Sequence, residues 1–193
     1  MIRNFRYIIK KLLIALWYKR YVHDDTLIQA DMLQTLTVRG SNLAQASLKR
    51  QFNHLMLYYP EFAFLFFWRI DNKQTRWRYL FTKDYACKIF KSTQIGGGLM
   101  CYHPFATVIN AKSIGNNFQF RNGLTIGNKH NDNSLLPIIG DNVTVGAQVV
   151  IIGDIVIGNH VIIGAGAVVV KDVPSNSVVA GNPAKVIRRL SYE

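Results

Sequence analysis

The stretch IGDNVTVGAQVVIIGDIVIGNHVIIGAGAVV, residues 139–169, decides how this chain folds. Ile139, Val145, Ile151, Ile157, Ile163 and Val169 recur every six residues, and Val143, Val149, Ile155, Val161, Ala167 and Val173 keep the phase four later. Aliphatics are common here, so the glycines carry more weight. Gly140, Gly146, Gly158 and Gly164 each directly follow the first aliphatic. A helix repeats every 3.6 residues and gives no reason for a period of six, whereas a stack of short strands joined by turns does. Each six-residue unit then forms one strand and one turn. Three units close a coil of about 18 residues, and coils stack at about 4.8 Å, the inter-strand distance. Upstream, Val108, Ile114, Phe120 and Ile126 extend the phase, with Gly115 and Gly127 following two of them. The expectation is a parallel β-helix with aliphatics pointing into a narrow prism.

Moving outward, the front of the chain is of another kind. Of 14 glycines only Gly40 precedes Gly96. Residues 1–90 hold 15 of the 23 basic residues and 6 of the 11 acidic ones, so most of the net charge of +12 lies there. Two structures are therefore expected: a basic α-helical region over 1–84 and the repeat domain over 85–193. In residues 4–20, Phe5, Ile8, Ile9, Leu12, Leu13 and Leu16 make one apolar helical stripe, with Arg6, Lys10, Lys11, Lys19 and Arg20 on the other faces. Such a stripe either packs on its own protein or lies on an anionic membrane surface. Further helices are expected from Thr26 to Thr37 and from Ser41 to Tyr58, the latter capped by Ser41 or Asn42 and ended by Pro60. The aromatic run Glu61 to Arg69 reads as a helix packed on its neighbours, or on a partner subunit or membrane.

Several classes are excluded. Cys87 and Cys101 lack metal-ligand spacing and cannot staple a secreted scaffold, so reduced thiols in the cytoplasm are expected. No apolar run approaches the roughly 18 residues of a membrane span, and no cleavage site follows Leu12 to Trp17. Basic residues are scattered over several helices without a nucleic-acid-reading motif, so no nucleic acid partner is expected.

These residues resemble the hexapeptide-repeat acyltransferases of the serine acetyltransferase branch. The resemblance rests on Ile95-Gly-Gly-Gly-Leu-Met-Cys-Tyr-His103, on Leu124-Thr-Ile-Gly-Asn-Lys-His130 with its polar loop to Pro137, and on the clean repeat. It ends with Ile163-Gly-Ala-Gly-Ala-Val168, Asp172-Val-Pro174 and Ala180-Gly-Asn-Pro-Ala-Lys185. It implies an α+β protein, a helical front followed by a left-handed parallel β-helix, assembled as a homotrimer with sites between neighbouring prisms. It also implies acetyl transfer from acetyl-CoA to a hydroxyl. His103 matches the catalytic histidine, the general base that takes the acceptor's proton. Ala147 and Ala165 match positions whose backbone meets the pantetheine arm, and Gly127 and Asn128 match a glycine pair near the thiol. Lys185, with Arg188 or Arg189, offers positive charge to the CoA phosphates.

The departures bear on the acceptor. Tyr102 stands where the branch has an aspartate before the histidine. Lys88 stands where a second aspartate orients that histidine, and Leu136 where a further histidine precedes the proline. The amino-acid pocket is dismantled while the CoA wall is kept, so the expected acceptor is a hydroxyl of a sugar or polysaccharide precursor. Serine O-acetylation and N-acetylation of an amino-sugar nucleotide are the alternatives; a non-catalytic trimeric scaffold that binds a membrane or partner is the third. Candidate acceptor contacts are His130 and Asp132 in the loop and Tyr102, whose ring can stack on a sugar. His103, His130 and His160 are too widely spaced in sequence for a three-histidine zinc site, so no metal is expected.

Overall fold

The computed structural model describes residues 2–71 and 75–191, which divide into two compact units, Met1–Asp84 and Tyr85–Glu193. The first is helical. Helix α1 (Ile2–Trp17) passes directly into a π-helical turn, Tyr18–Val22. Helix α2 (Thr26–Val38) is capped by Asp25, whose carboxylate accepts from the Ile28 amide at 2.9 Å. The helix expected over Ser41–Tyr58 is broken: Ser41 caps a short 3-10 turn, Asn42–Gln45, and α3 (Leu48–Tyr58) starts afresh. Between the two, Ala46 and Ser47 are extended, with ψ of 167° and 146°. Helix α4 (Pro60–Arg69) opens on its proline, whose missing N–H costs nothing in a first turn, and α5 (Thr75–Arg78) is a single turn.

The core of this unit gathers Ile14, Trp17, Val22, Ile28, Met32, Leu36, Phe52, Leu55, Phe62, Phe66 and Phe67. Each such side chain, fully buried, contributes about 1.5–3 kcal/mol. Trp17 is its hinge, with ring centroids 5.3 Å from Phe67 and 5.1 Å from Phe81. The inward side of α1 is therefore Ile14 and Trp17, with Leu13 of the stripe read from the sequence packed at its margin and Ile9 half-buried, while Phe5, Ile8, Leu12 and Leu16 of that stripe face outward. Helix α1 is apolar on opposite sides, and periodicity does not say which side meets a core. Arg69 donates two bonds to Asp31, at 2.8 and 3.0 Å, in a pair whose side chains are 8% and 3% exposed.

The second unit is a parallel β-helix of three sheets. Face one stacks β1 (Cys87–Ile89), β4 (Thr107–Ile109), β7 (Thr125–Gly127), β10 (Val150–Ile152) and β13 (Val168–Val169). Face two stacks β2 (Gln94–Ile95), β5 (Ser113–Ile114), β8 (Ile138–Ile139) and β11 (Val156–Ile157). Face three stacks β3 (Met100–Tyr102), β6 (Gln119–Arg121), β9 (Thr144–Val145), β12 (Val161–Ile163) and β14 (Ser177–Gly181), with β15 (Ala184–Arg189) added antiparallel at its end. Both aliphatic phases of residues 139–173 are buried. The upstream phase fails at Val108, which is 39% exposed while Thr107 and Ile109 point inward.

The glycines follow from the stacking. At the corner between faces two and three, Gly96, Gly115, Gly140 and Gly158 lie one above another. A Cβ on Gly140 would sit 2.9 Å from the Gly158 carbonyl carbon. The residue after each glycine ties the coils together. Asn116 Oδ1 accepts from Gly97 N, Asp141 Oδ1 from Asn116 N, Asn159 Oδ1 from Asp141 N and Ser175 Oγ from Asn159 N, at 2.6–3.0 Å. Polar side chains thus satisfy corner amides that the strands leave over.

Candidate functional site

The corner between faces three and one holds His103. Tyr102 pairs with Arg121 in the face-three register. On the far side of the turn, Gly123 N donates to Phe105 O at 2.8 Å, Gln148 N to Asn122 O at 2.9 Å and Gly166 N to Ala147 O at 2.8 Å. Phe105, Asn122, Ala147 and Ala165 therefore stack as one row. Each is followed by the corner's left-handed residue: Ala106, Gly123, Gln148 and Gly166, with φ of 50–72°. His103 and Pro104 have no counterpart in that row. They are two extra residues that loop out of the first turn, and the turn is closed by Phe105 N donating to His103 O at 2.6 Å. His103 is exposed and itself left-handed (φ 47°), a conformation that costs a non-glycine residue about 1 kcal/mol or more. The ring of Phe105 packs on Tyr85, centroids 5.1 Å apart, and fixes the base of the bulge.

Small residues continue the row away from the bulge. Ala147 is half-buried and Ala165 exposed, so at these positions only a methyl covers the backbone. The row ends at the β14–β15 hairpin, where Lys185 pairs with Ala180 and Arg188 with Val178, both cations exposed. His103, Ala147, Ala165 and Lys185 thus share one edge and its end.

The remaining candidates lie on the corner between faces one and two. Gly127 ends β7, and Asn128 opens the polar loop that interrupts the repeat. Asn128 Nδ2 donates to Asn133 Oδ1 at 2.7 Å, so its side chain holds the loop closed. Asp132 does the same: its carboxylate accepts from the Ser134 amide at 2.8 Å and hydroxyl at 2.7 Å. Those bonds, the hydroxyl first, hold its pKa below the usual carboxylate value. His130 is exposed at the loop tip with φ 57° and lines a cleft of about 370 Å³ with Lys129, Leu135, Ile152, Asp154 and Val170. Within one chain, face one separates His130 and Asp132 from His103.

One residue escaped the sequence reading. Arg121 sits one coil above Tyr102 with its guanidinium 4.8 Å from the centroid of that ring, so one face of the ring offered to a sugar already carries a cation. The one signal for it is the coil spacing, which becomes usable only once the two-residue bulge is known. His160 is half-buried in a repeat turn, 3.5 Å from Asn142 Nδ2. Among the described residues no group of His, Cys, Asp and Glu is arranged to hold a metal ion.

Residues 137–171 match the family described as bacterial transferase hexapeptide (six repeats). This segment is a run of hexapeptide repeats. Over 103 residues it is 43% identical to the Escherichia coli protein named "Putative colanic acid biosynthesis acetyltransferase WcaB", a match that covers 53% of this chain and 64% of that one. It is 34% identical to serine acetyltransferase 2 of Arabidopsis thaliana over 56% of this chain and 34% of the relative. The hexapeptide-repeat chain therefore spans less than two thirds of the length of these relatives. Among solved structures, Neisseria gonorrhoeae serine acetyltransferase superposes with a TM-score of 0.66 at 28% identity, over 91% of this chain and 70% of that one. The coenzyme A complex of Brucella abortus serine acetyltransferase shares the fold at a TM-score of 0.66 and 21% identity, over 93% and 73% of the two chains.

Proposed function

We propose that this protein transfers the acetyl group of acetyl-CoA to a hydroxyl of a sugar or polysaccharide precursor, with His103 as general base. The observation that carries the reading is the His103–Pro104 bulge at the head of a row of small residues that ends beside Lys185. A pantetheine arm laid along Ala147 and Ala165 meets bare backbone, its phosphates meet Lys185 and Arg188, and its thioester reaches towards the exposed imidazole. His103 takes the proton as the acceptor oxygen attacks the thioester carbonyl carbon. The tetrahedral intermediate collapses with cleavage of the C–S bond, and the proton passes to the leaving thiolate. Acetyl ester and free CoA are the products.

Two features favour a sugar over serine. Tyr102 and Arg121 occupy the acceptor side of His103, giving an aromatic surface and a cation where an amino group of serine would need a carboxylate. The E. coli relative is also named for the biosynthesis of a polysaccharide, colanic acid. A homotrimer, as the family resemblance implies, would bring the loop edge of one copy, with His130, Gly127 and Asn128, to the His103 edge of the next. The test is release of free thiol from acetyl-CoA by the full chain against a panel of sugars, sugar nucleotides, oligosaccharides and serine. The proposal expects turnover with a glycan member and none with serine. Turnover with serine alone would overturn the acceptor assignment.

A further inference from the structure

The outward side of α1 holds none of the residues assigned above to acetyl transfer. Phe5, Ile8, Leu12 and Leu16 are 65%, 55%, 66% and 59% exposed. Their spacing of three and four residues sets them in one stripe along the helix, opposite Ile14 and Trp17, which are buried in the helical unit. The charge around the stripe has a single sign. Arg3, Arg6, Lys10, Lys11, Lys19 and Arg20 are the charged residues of the first 23, and Asp24 is the first carboxylate. Of the described cations, Arg6, Lys19 and Arg20 are exposed. Lys10 turns inward, its amine 5.3 Å from the centroid of the Phe81 ring, and Lys11 donates to Asn53 at 3.1 Å.

These two properties choose the occupant. A second copy laid on the stripe would set cation against cation, with no acidic residue in the segment to relieve the repulsion. An anionic bilayer meets both demands: its acyl boundary accepts the four apolar side chains while its phosphates meet Lys19 and Arg20. Among the described residues no helix is long and apolar enough to cross a membrane, so the contact lies in the interface plane. We propose that α1 docks this protein flat on an anionic lipid surface through Phe5, Ile8, Leu12 and Leu16. The proposal is independent of the acceptor and of the acetyl-transfer chemistry.

Co-sedimentation of the full chain with lipid vesicles tests it. The full chain should pellet with vesicles of phosphatidylglycerol and phosphatidylcholine in equal parts and stay in solution with phosphatidylcholine alone, and rising salt should weaken the binding. Leu12→Glu combined with Leu16→Glu should lower the partition coefficient on the order of tenfold or more. Both side chains are exposed, so circular dichroism and thermal unfolding should stay as in the parent. Should that variant misfold, Lys19→Gln and Arg20→Gln together read the same surface through its charge and should also weaken binding. Absence of binding to anionic vesicles, or binding indifferent to both sets of changes, would overturn the proposal. So would light scattering that shows the glutamate pair splitting a larger assembly, since a second copy would then cover the stripe.

Discussion

At the residue scale, the corners of the β-helix impose the strictest demands. A methyl group on Gly140 has the Gly158 carbonyl carbon at 2.9 Å and Asn159 N at 3.0 Å, and backbone cannot step aside as a side chain can. Gly140→Ala should therefore cost about 1–3 kcal/mol, read as a lowered urea midpoint; an unchanged midpoint would mean the coils have slack. Asp132 makes a prediction about pH. Its carboxylate is stabilised in the folded loop, so the loop gains from that bonding at all pH above the ordinary carboxylate value. The gain is lost only as the pH falls through the depressed value. The protection factor of the Ser134 amide, its exchange measured against an unstructured peptide at the same pH, should hold from neutral pH down to the ordinary carboxylate range and fall below it. Asp132→Asn should remove that acid-induced loss of protection. His103 was singled out in the sequence because a family pattern surrounds it. The two-residue bulge was not, because it shows only when the hydrogen bonds of Gly123, Gln148 and Gly166 are counted against their partners.

At the scale of the element, the strands were readable from residues 139–169, where two side chains in every six are locked into a prism and six residues always make one side. The second coil was less so. There the inward residues are Thr107 and Ile109, a buried polar group broke the pattern, and Val108 was misread as inward. The helices obey a weaker rule. Helix α1 has two apolar faces, and Trp17 with its three aromatic neighbours decided which one turned in. The Asp31–Arg69 pair was hidden altogether, since two charges far apart in sequence announce nothing until α2 and α4 pack. Its burial makes a prediction: Asp31→Ala should destabilise the helical unit by about 3–5 kcal/mol, because the buried Arg69 guanidinium loses both of its hydrogen bonds to that carboxylate. Replacing both, Asp31→Leu with Arg69→Met, should cost clearly less than Asp31→Ala alone, and urea unfolding of the two variants measures the difference.

At the scale of the whole molecule, the chain joins a basic helical unit to a β-helix whose edges do different work. One edge is a ladder of Gly-Asn and Gly-Asp corners that holds coils in register. A second carries the small-residue row with His103 at one end and the β14–β15 cations at the other. The third carries the polar loop. This division follows from which strands each turn connects, and it is why the candidate residues fall on two edges in a single chain. The claim on which the function rests is that the His103 imidazole activates the acceptor beside a CoA-binding edge. The most direct measurement is acetyl transfer by His103→Ala, set beside calorimetric binding of CoA to the same variant. The account predicts a fall in kcat of about 10²–10⁴ with CoA affinity unchanged; turnover equal to that of the parent protein would contradict it.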